Sequence, residues 1–117
     1  MIRNETRGTV LATRETWALG AAERLRGLLD RGGLGDGEAL VISPCTSVHM
    51  FGMKFAVDVI FVARDGTVVR AIPALKPWRA TWIWWRARHC VEMPVGVLAA
   101  TGTRAGDRLV FEPDPTL

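Results

Sequence analysis

Ala56–Ile72 reads A-V-D-V-I-F-V-A-R-D-G-T-V-V-R-A-I. Ala56 to Ala63 is β-branched and apolar apart from Asp58, and Thr67 to Ile72 repeats that character, so each run predicts a strand. Between them Arg64-Asp65-Gly66 supplies turn chemistry, with Gly66 at the position that needs a positive φ. The stretch is a β-hairpin, and the neighbouring segments are arranged about it.

Upstream, Glu38 to Ser43 (E-A-L-V-I-S) is an apolar run of strand length that Pro44 ends. Asp30 to Gly37 holds four glycines and two aspartates and reads as a loop. Further back, Arg7 to Glu15 suits a first strand. Thr16 is placed to cap a helix over Trp17 to Leu28, where Trp17, Ala21, Leu25 and Leu28 recur at helical spacing.

Downstream, Pro73 and Pro77 bracket an irregular connection, and Thr81 to Met93 passes from loop into a strand at Arg88–Met93. Pro94 opens a short helix over Val95–Ala100 that Gly102 stops. Gly106-Asp107 turns into a closing strand at Arg108–Glu112, and the tail beyond Pro113 is expected to fray. About six short strands joined by hairpins, with one N-terminal helix and a C-terminal helical turn, predict a mainly β chain. The expected architecture is a compact, mainly antiparallel β-sandwich or barrel.

The 117 residues suit a single domain over 1–117, long enough to bury a core, and the 49% apolar content is ordinary for a globular chain. No run of apolar residues is long enough for a membrane span, and the first twenty residues lack the pattern of a secretion signal. The expected location is therefore cytoplasmic, with Cys45 and Cys90 reduced. The net charge of +3 is uneven: Gly66 to Val91 carries five cations and no acid, leaving ten cations against twelve acids elsewhere.

Chemistry-bearing side chains gather once, in C-T-S-V-H-M-F-G-M-K at Cys45–Lys54. A thiolate at Cys45 activated by His49 would make a nucleophile, although the partners of thiol hydrolases usually meet through the fold. Cys45, His49, Met50 and Met53 together form a soft donor set suited to Cu(I). As a ligand cleft, the stretch would offer His49 and Lys54 as polar contacts and Phe51, Met53 and Phe55 as walls. The plain alternative is core packing, with Cys45 a small hydrophobe and His49 bonded to main chain. Asp58 interrupts an apolar strand, so it must meet backbone, solvent, His49 or an Arg. Glu92, in C-V-E-M-P, poses the same problem.

Lys76–His89 (K-P-W-R-A-T-W-I-W-W-R-A-R-H) holds four of the five tryptophans. Trp interleaved with Arg can stack on single-stranded bases, rest at a lipid interface or anchor a protein partner. It can equally cap one end of a β-barrel. Trp78, Arg79, Trp82, Trp84, Trp85, Arg86 and Arg88 are the candidate partner surface.

The order of these motifs resembles the family called domain of unknown function 192. The matching stretches are R-L-R-G-L-L at Arg24–Leu29, C-T-S-V-H-M-F-G-M-K-F-A-V-D-V-I-F at Cys45–Phe61 and A-R-D-G-T-V-V at Ala63–Val69. V-E-M-P-V-G at Val91–Gly96 and G-D-R-L-V at Gly106–Val110 complete the match, which runs over about residues 8 to 112. The resemblance implies a compact β-rich domain of jelly-roll type with small helices, and it brings no established activity or cofactor. This chain fits the branch carrying Cys and His, and it departs from the family in its Trp-rich segment. The resulting expectation is a non-catalytic ligand- or partner-binding protein without a cofactor. Its cleft is lined by Cys45–Met53, with Cys45, His49, Met53, Lys54 and Asp58 as contacts. A thiol-dependent enzyme and a soft-metal binder are the alternatives.

Overall fold

A computed structural model describes residues 1–18, 33–50 and 53–112. Among these residues the chain forms β1 (Ile2–Asn4), β2 (Thr9–Ala12), β3 (Arg14–Ala18), β4 (Glu38–Ile42), β5 (Val57–Val62), β6 (Val68–Leu75), β7 (His89–Met93), the helix α1 (Val97–Thr101) and β8 (Leu109–Phe111). They make two sheets, one in the order β2-β1-β8 and one in the order β3-β4-β7-β5-β6. All pairings are antiparallel except β3–β4, which is parallel. The sheets do not close into a barrel.

The expected hairpin is present as β5 and β6, with Val59 opposite Ile72 and Val62 opposite Val68. Gly66 has φ +94°, and a Cβ there would stand 2.4 Å from the Leu109 carbonyl oxygen. Glycine is thus required twice over, for the turn and for its close approach to β8. β6 runs past Pro73 to Leu75, which its position at a sheet edge allows. A bulge falls between Val57 and Val59 on the paired strands, with Ala74 at φ 49°.

The start of the chain corrects the sequence reading. Thr16 caps no helix: Thr16, Trp17 and Ala18 belong to β3 and pair with Leu40, Val41 and Ile42. The R-E-T-W-A stretch alternates outward and inward, and parallel pairing to the buried β4 outweighs its helical spacing. The remainder of the expected helix, to Leu28, lies outside the described residues, as do the first three residues of the expected glycine loop and the tail from Pro113. The single strand expected at Arg7–Glu15 is two strands in different sheets, broken at Thr13. Thr13 and Arg14 both donate their N–H to the Gly37 carbonyl, which turns the chain from one sheet to the other. β1 had no counterpart in the expected strands.

Two apolar layers result. One lies between the sheets and joins Ile2, Leu11 and Leu109 to Val41, Val91, Ile60, Val62 and Leu98. The other covers the far face of the five-stranded sheet and joins Leu40, Ile42, Val57, Val59, Phe61 and Cys90 to Val48, Met50, Met53 and Ala87. β5 is therefore buried on both faces along its whole length, which explains its near-continuous apolar sequence.

A buried polar network fastens the edge of the smaller sheet. Asp107 accepts hydrogen bonds from Asn4 Nδ2 at 2.9 Å, from Arg7 Nε and Nη2 at 3.1 Å each, and from the Arg104 N–H at 3.2 Å. Burial alone opposes ionisation of Asp107. The bonds from Arg7, Asn4 and the Arg104 N–H outweigh it and bring its pKa down to about 2.

Candidate functional site

Asp58 sits on β5 one residue from Val57 and Val59, so it points to the opposite face from theirs, into the layer between the sheets. It is buried. One carboxylate oxygen accepts the Ala74 N–H at 2.8 Å; the other accepts those of Gly96 at 3.1 Å and Leu98 at 2.9 Å. A single side chain thus holds the β6 bulge and the first turn of α1 to β5. Of the partners considered for Asp58, the main chain is the one these bonds supply.

Met53 lies on the other side of the sheet. Met50 and Met53 are buried in the second apolar layer with Val48, and half-buried Cys45 and Phe55 pack against it. Cys45 Sγ donates to the Ser47 carbonyl at 3.1 Å. His49 and Lys54 are exposed, and Phe51 lies outside the described residues. Cys45, His49, Met53, Lys54 and Asp58 therefore do not converge on one space. The same alternation divides the soft donors, with both thioethers inside and the imidazole outside. Among the described residues, no three His, Cys, Asp or Glu side chains are grouped as a metal ion would require. Cys90 and Glu92 are fully buried within β7.

The structure does join two segments that are thirty residues apart. Met50 donates its N–H to the Arg79 carbonyl at 2.7 Å, and Trp78 donates to the Met50 carbonyl at 2.8 Å. Thr81 N–H reaches the Val48 carbonyl at 2.9 Å, Trp84 N–H reaches the Thr46 carbonyl at 2.8 Å, and Val48 N–H reaches Thr81 Oγ1 at 3.0 Å. His49 and Ala80 form a bridge between them. Residues 46–50 and 78–84 are thus an irregular two-stranded ribbon laid over the five-stranded sheet.

The ribbon has two unlike faces. Inward, Val48, Met50 and Trp84 seal the apolar layer; the Trp84 ring lies 6.5 Å from that of Phe61, with the Arg70 guanidinium 5.6 Å from its centroid. Outward, Trp78, Trp82 and Trp85 are 68%, 77% and 82% exposed, and Ile83 is 42% exposed. Arg79, Arg86, Arg88 and Lys76, interleaved with them or flanking them in sequence, are exposed too. The candidate partner surface thus has six outward residues and one, Trp84, that anchors it from beneath. Its contact with 46–50 left no local signal in the sequence, because the bonds run between main-chain groups of distant segments.

A second feature escaped sequence reasoning. A cavity of about 370 Å³ opens between the hairpin turn and β8, lined by Arg64, Asp65, His89, Arg108, Phe111 and Glu5 among others. His89 Nδ1 is 2.8 Å from Ser43 Oγ, and its ring meets Trp17 edge-on at 5.3 Å. Burial, then the charges of Arg88 and Arg64, push its pKa below the ordinary value and favour neutral imidazole. Ser43, Trp17, His89 and Phe111 are scattered through the chain, and no spacing links them.

These features define a small two-sheet β domain whose larger sheet carries an aromatic, basic cover. The chain belongs to the DUF192 family, described as "Uncharacterized ACR", whose model matches residues 2–111. It is 30% identical to a UPF0127 protein of Thermococcus sibiricus over 116 residues, 96% of this chain and 75% of that one. Two crystal structures share the fold. One is a protein of unknown function from Novosphingobium aromaticivorans, with a TM-score of 0.72 and 24% identity over 83% of this chain and 74% of that one. The other, from Sinorhizobium meliloti, is provisionally described as a transcription regulator and has a TM-score of 0.69 and 22% identity over 82% and 79% of the two chains. No helix among the described residues is long and apolar enough to cross a membrane.

Proposed function

We propose that this domain is a non-catalytic binding module that meets its partner through the outer face of the ribbon. Trp78, Arg79, Trp82, Trp85, Arg86 and Arg88 are the contact residues, with Trp84 fixing the ribbon below them. His49 and Lys54 stand at the exposed margin, Cys45 and Met53 belong to the floor, and Asp58 acts at a distance by holding the strand beneath. The observation that carries this reading is the exposure of three indoles and Ile83 within eight residues of sequence. Apolar surface concentrated in this way marks an interaction site, and Trp and Arg are the residue types in which interface energy concentrates.

The test separates indoles kept for recognition from indoles kept for stability. In urea unfolding, Trp82→Ala and Trp85→Ala should each change stability by no more than about 0.5 kcal/mol. Trp84→Ala, which empties part of the apolar layer, should cost about 3 kcal/mol. If Trp82→Ala and Trp85→Ala destabilise the domain as much as Trp84→Ala, the outer indoles are structural and the binding surface is lost as an idea.

A further inference from the structure

We infer that the surface met by the ribbon is an anionic phospholipid bilayer, on which the domain rests without spanning it. This rests on the ribbon being a binding surface and names what it binds. Three observations converge. The segment supplying most of the ribbon lies within Gly66–Val91, which carries five cations and no acid. Four of these cations, Lys76, Arg79, Arg86 and Arg88, are exposed and lie within three residues of an outward indole in the sequence. Ile83, an aliphatic side chain, is exposed next to Trp82 and close to Trp85.

Indole rings with a polar N–H settle at headgroup depth, and an aliphatic neighbour enters the acyl boundary with them. The surrounding cations meet lipid phosphates and anionic headgroups, each strengthening attachment about five-fold. A single-stranded nucleic acid would use the indoles as stacking platforms and the cations as phosphate contacts, but it has no place for the exposed isoleucine. A second copy of this chain would bring its own four cations against the first four. The bilayer uses every part of the surface.

The experiment uses the full chain with vesicles of phosphatidylcholine, with and without phosphatidylglycerol, read by co-sedimentation and by tryptophan emission. Binding should be at least about ten-fold tighter with phosphatidylglycerol present, with a blue-shifted emission, and it should weaken as salt is raised. The double variant Trp82→Ala/Trp85→Ala should lose at least about ten-fold in affinity. Arg79→Gln/Arg86→Gln keeps every indole and should lose roughly twenty-five-fold on anionic vesicles only. Circular dichroism establishes that each variant is folded.

Wild-type protein that stays in the supernatant with anionic vesicles overturns the assignment, as does equal binding to both vesicle types. Two such failures leave the binding surface itself standing. One is oligonucleotide binding that Trp82→Ala/Trp85→Ala abolishes while vesicles are ignored. The other is self-association in size exclusion that the same variant removes. The unfolding comparison above reports on the binding surface alone, so failure of one reading is distinct from failure of the other.

Discussion

The two faces of the five-stranded sheet are covered by different means. Towards β1, β2 and β8 the cover is regular sheet, and the carboxylate that β5 turns to that side, Asp58, meets fixed main-chain partners at Ala74, Gly96 and Leu98. On the other face, the described cover includes the ribbon of 46–50 and 78–84. Its inner residues Val48 and Met50 are buried and Trp84 is half-buried against them, while its outer residues are the large exposed aromatics. The first cover accounts for its side chains through stability. On the reading proposed above, the second has side chains kept for recognition, and that difference is what experiment can test.

That contrast can be broken most forcefully at Asp58. Asp58→Ala empties a buried site and takes the charged acceptor from three N–H groups, that of buried Leu98 and those of Ala74 and Gly96, and urea unfolding should show a loss of about 4 kcal/mol. A loss below about 1 kcal/mol would mean that this side of the sheet does not depend on the bonds of its buried carboxylate. Next in size is the loss of about 3 kcal/mol on Trp84→Ala, on the inner side of the ribbon. The described residues hold no hydrogen-bond partner for its Nε1, so its contribution is packing. Trp84→Phe should therefore cost no more than about 1.5 kcal/mol, about half of the loss on truncation to alanine.

Gly66→Ala should cost about 2 kcal/mol, because it combines a positive φ with contact on the Leu109 main chain. The effect should appear in the midpoint of unfolding with the denaturant slope unchanged. The last test is a pH dependence at Asp107. Its folded pKa of about 2 lies below the ordinary carboxylate value of about 3.9, so the unfolded chain binds more protons between those values. Stability from this group is therefore complete above about pH 4 and falls as pH drops towards 2. Asp107→Asn should flatten that part of the stability–pH curve. An unchanged curve would deny the network its electrostatic role.

The β5–β6 hairpin was legible in Ala56–Ile72, because period, turn residues and glycine placement all act within a few residues of one another. The short helix ending at Gly102 was legible for the same reason: Gly102 adopts φ 71° and returns its N–H to the Leu98 carbonyl. Trp17 was misread because R-E-T-W-A is compatible with either period, and only parallel pairing to β4 decides between them. β1 is three residues long and exists by lying between β2 and β8, a pairing no local pattern announces.

The candidate site divides along the same line. Composition alone singled out the Trp/Arg segment, since exposed aromatics beside uncompensated cations are unusual in any environment. It also pointed to Asp58 as a carboxylate in need of donors. By itself the sequence determined which residues were anomalous and which short stretches would fold locally. Only the tertiary structure decided what each anomaly meets, sending Asp58 to one side of β5 and Met53 to the other. It also brought Thr46–Met50 against Trp78–Trp84 through main-chain bonds. Main-chain hydrogen bonds between distant segments carry no side-chain signature, so their pairing is written in the packed chain and not in its order of residues.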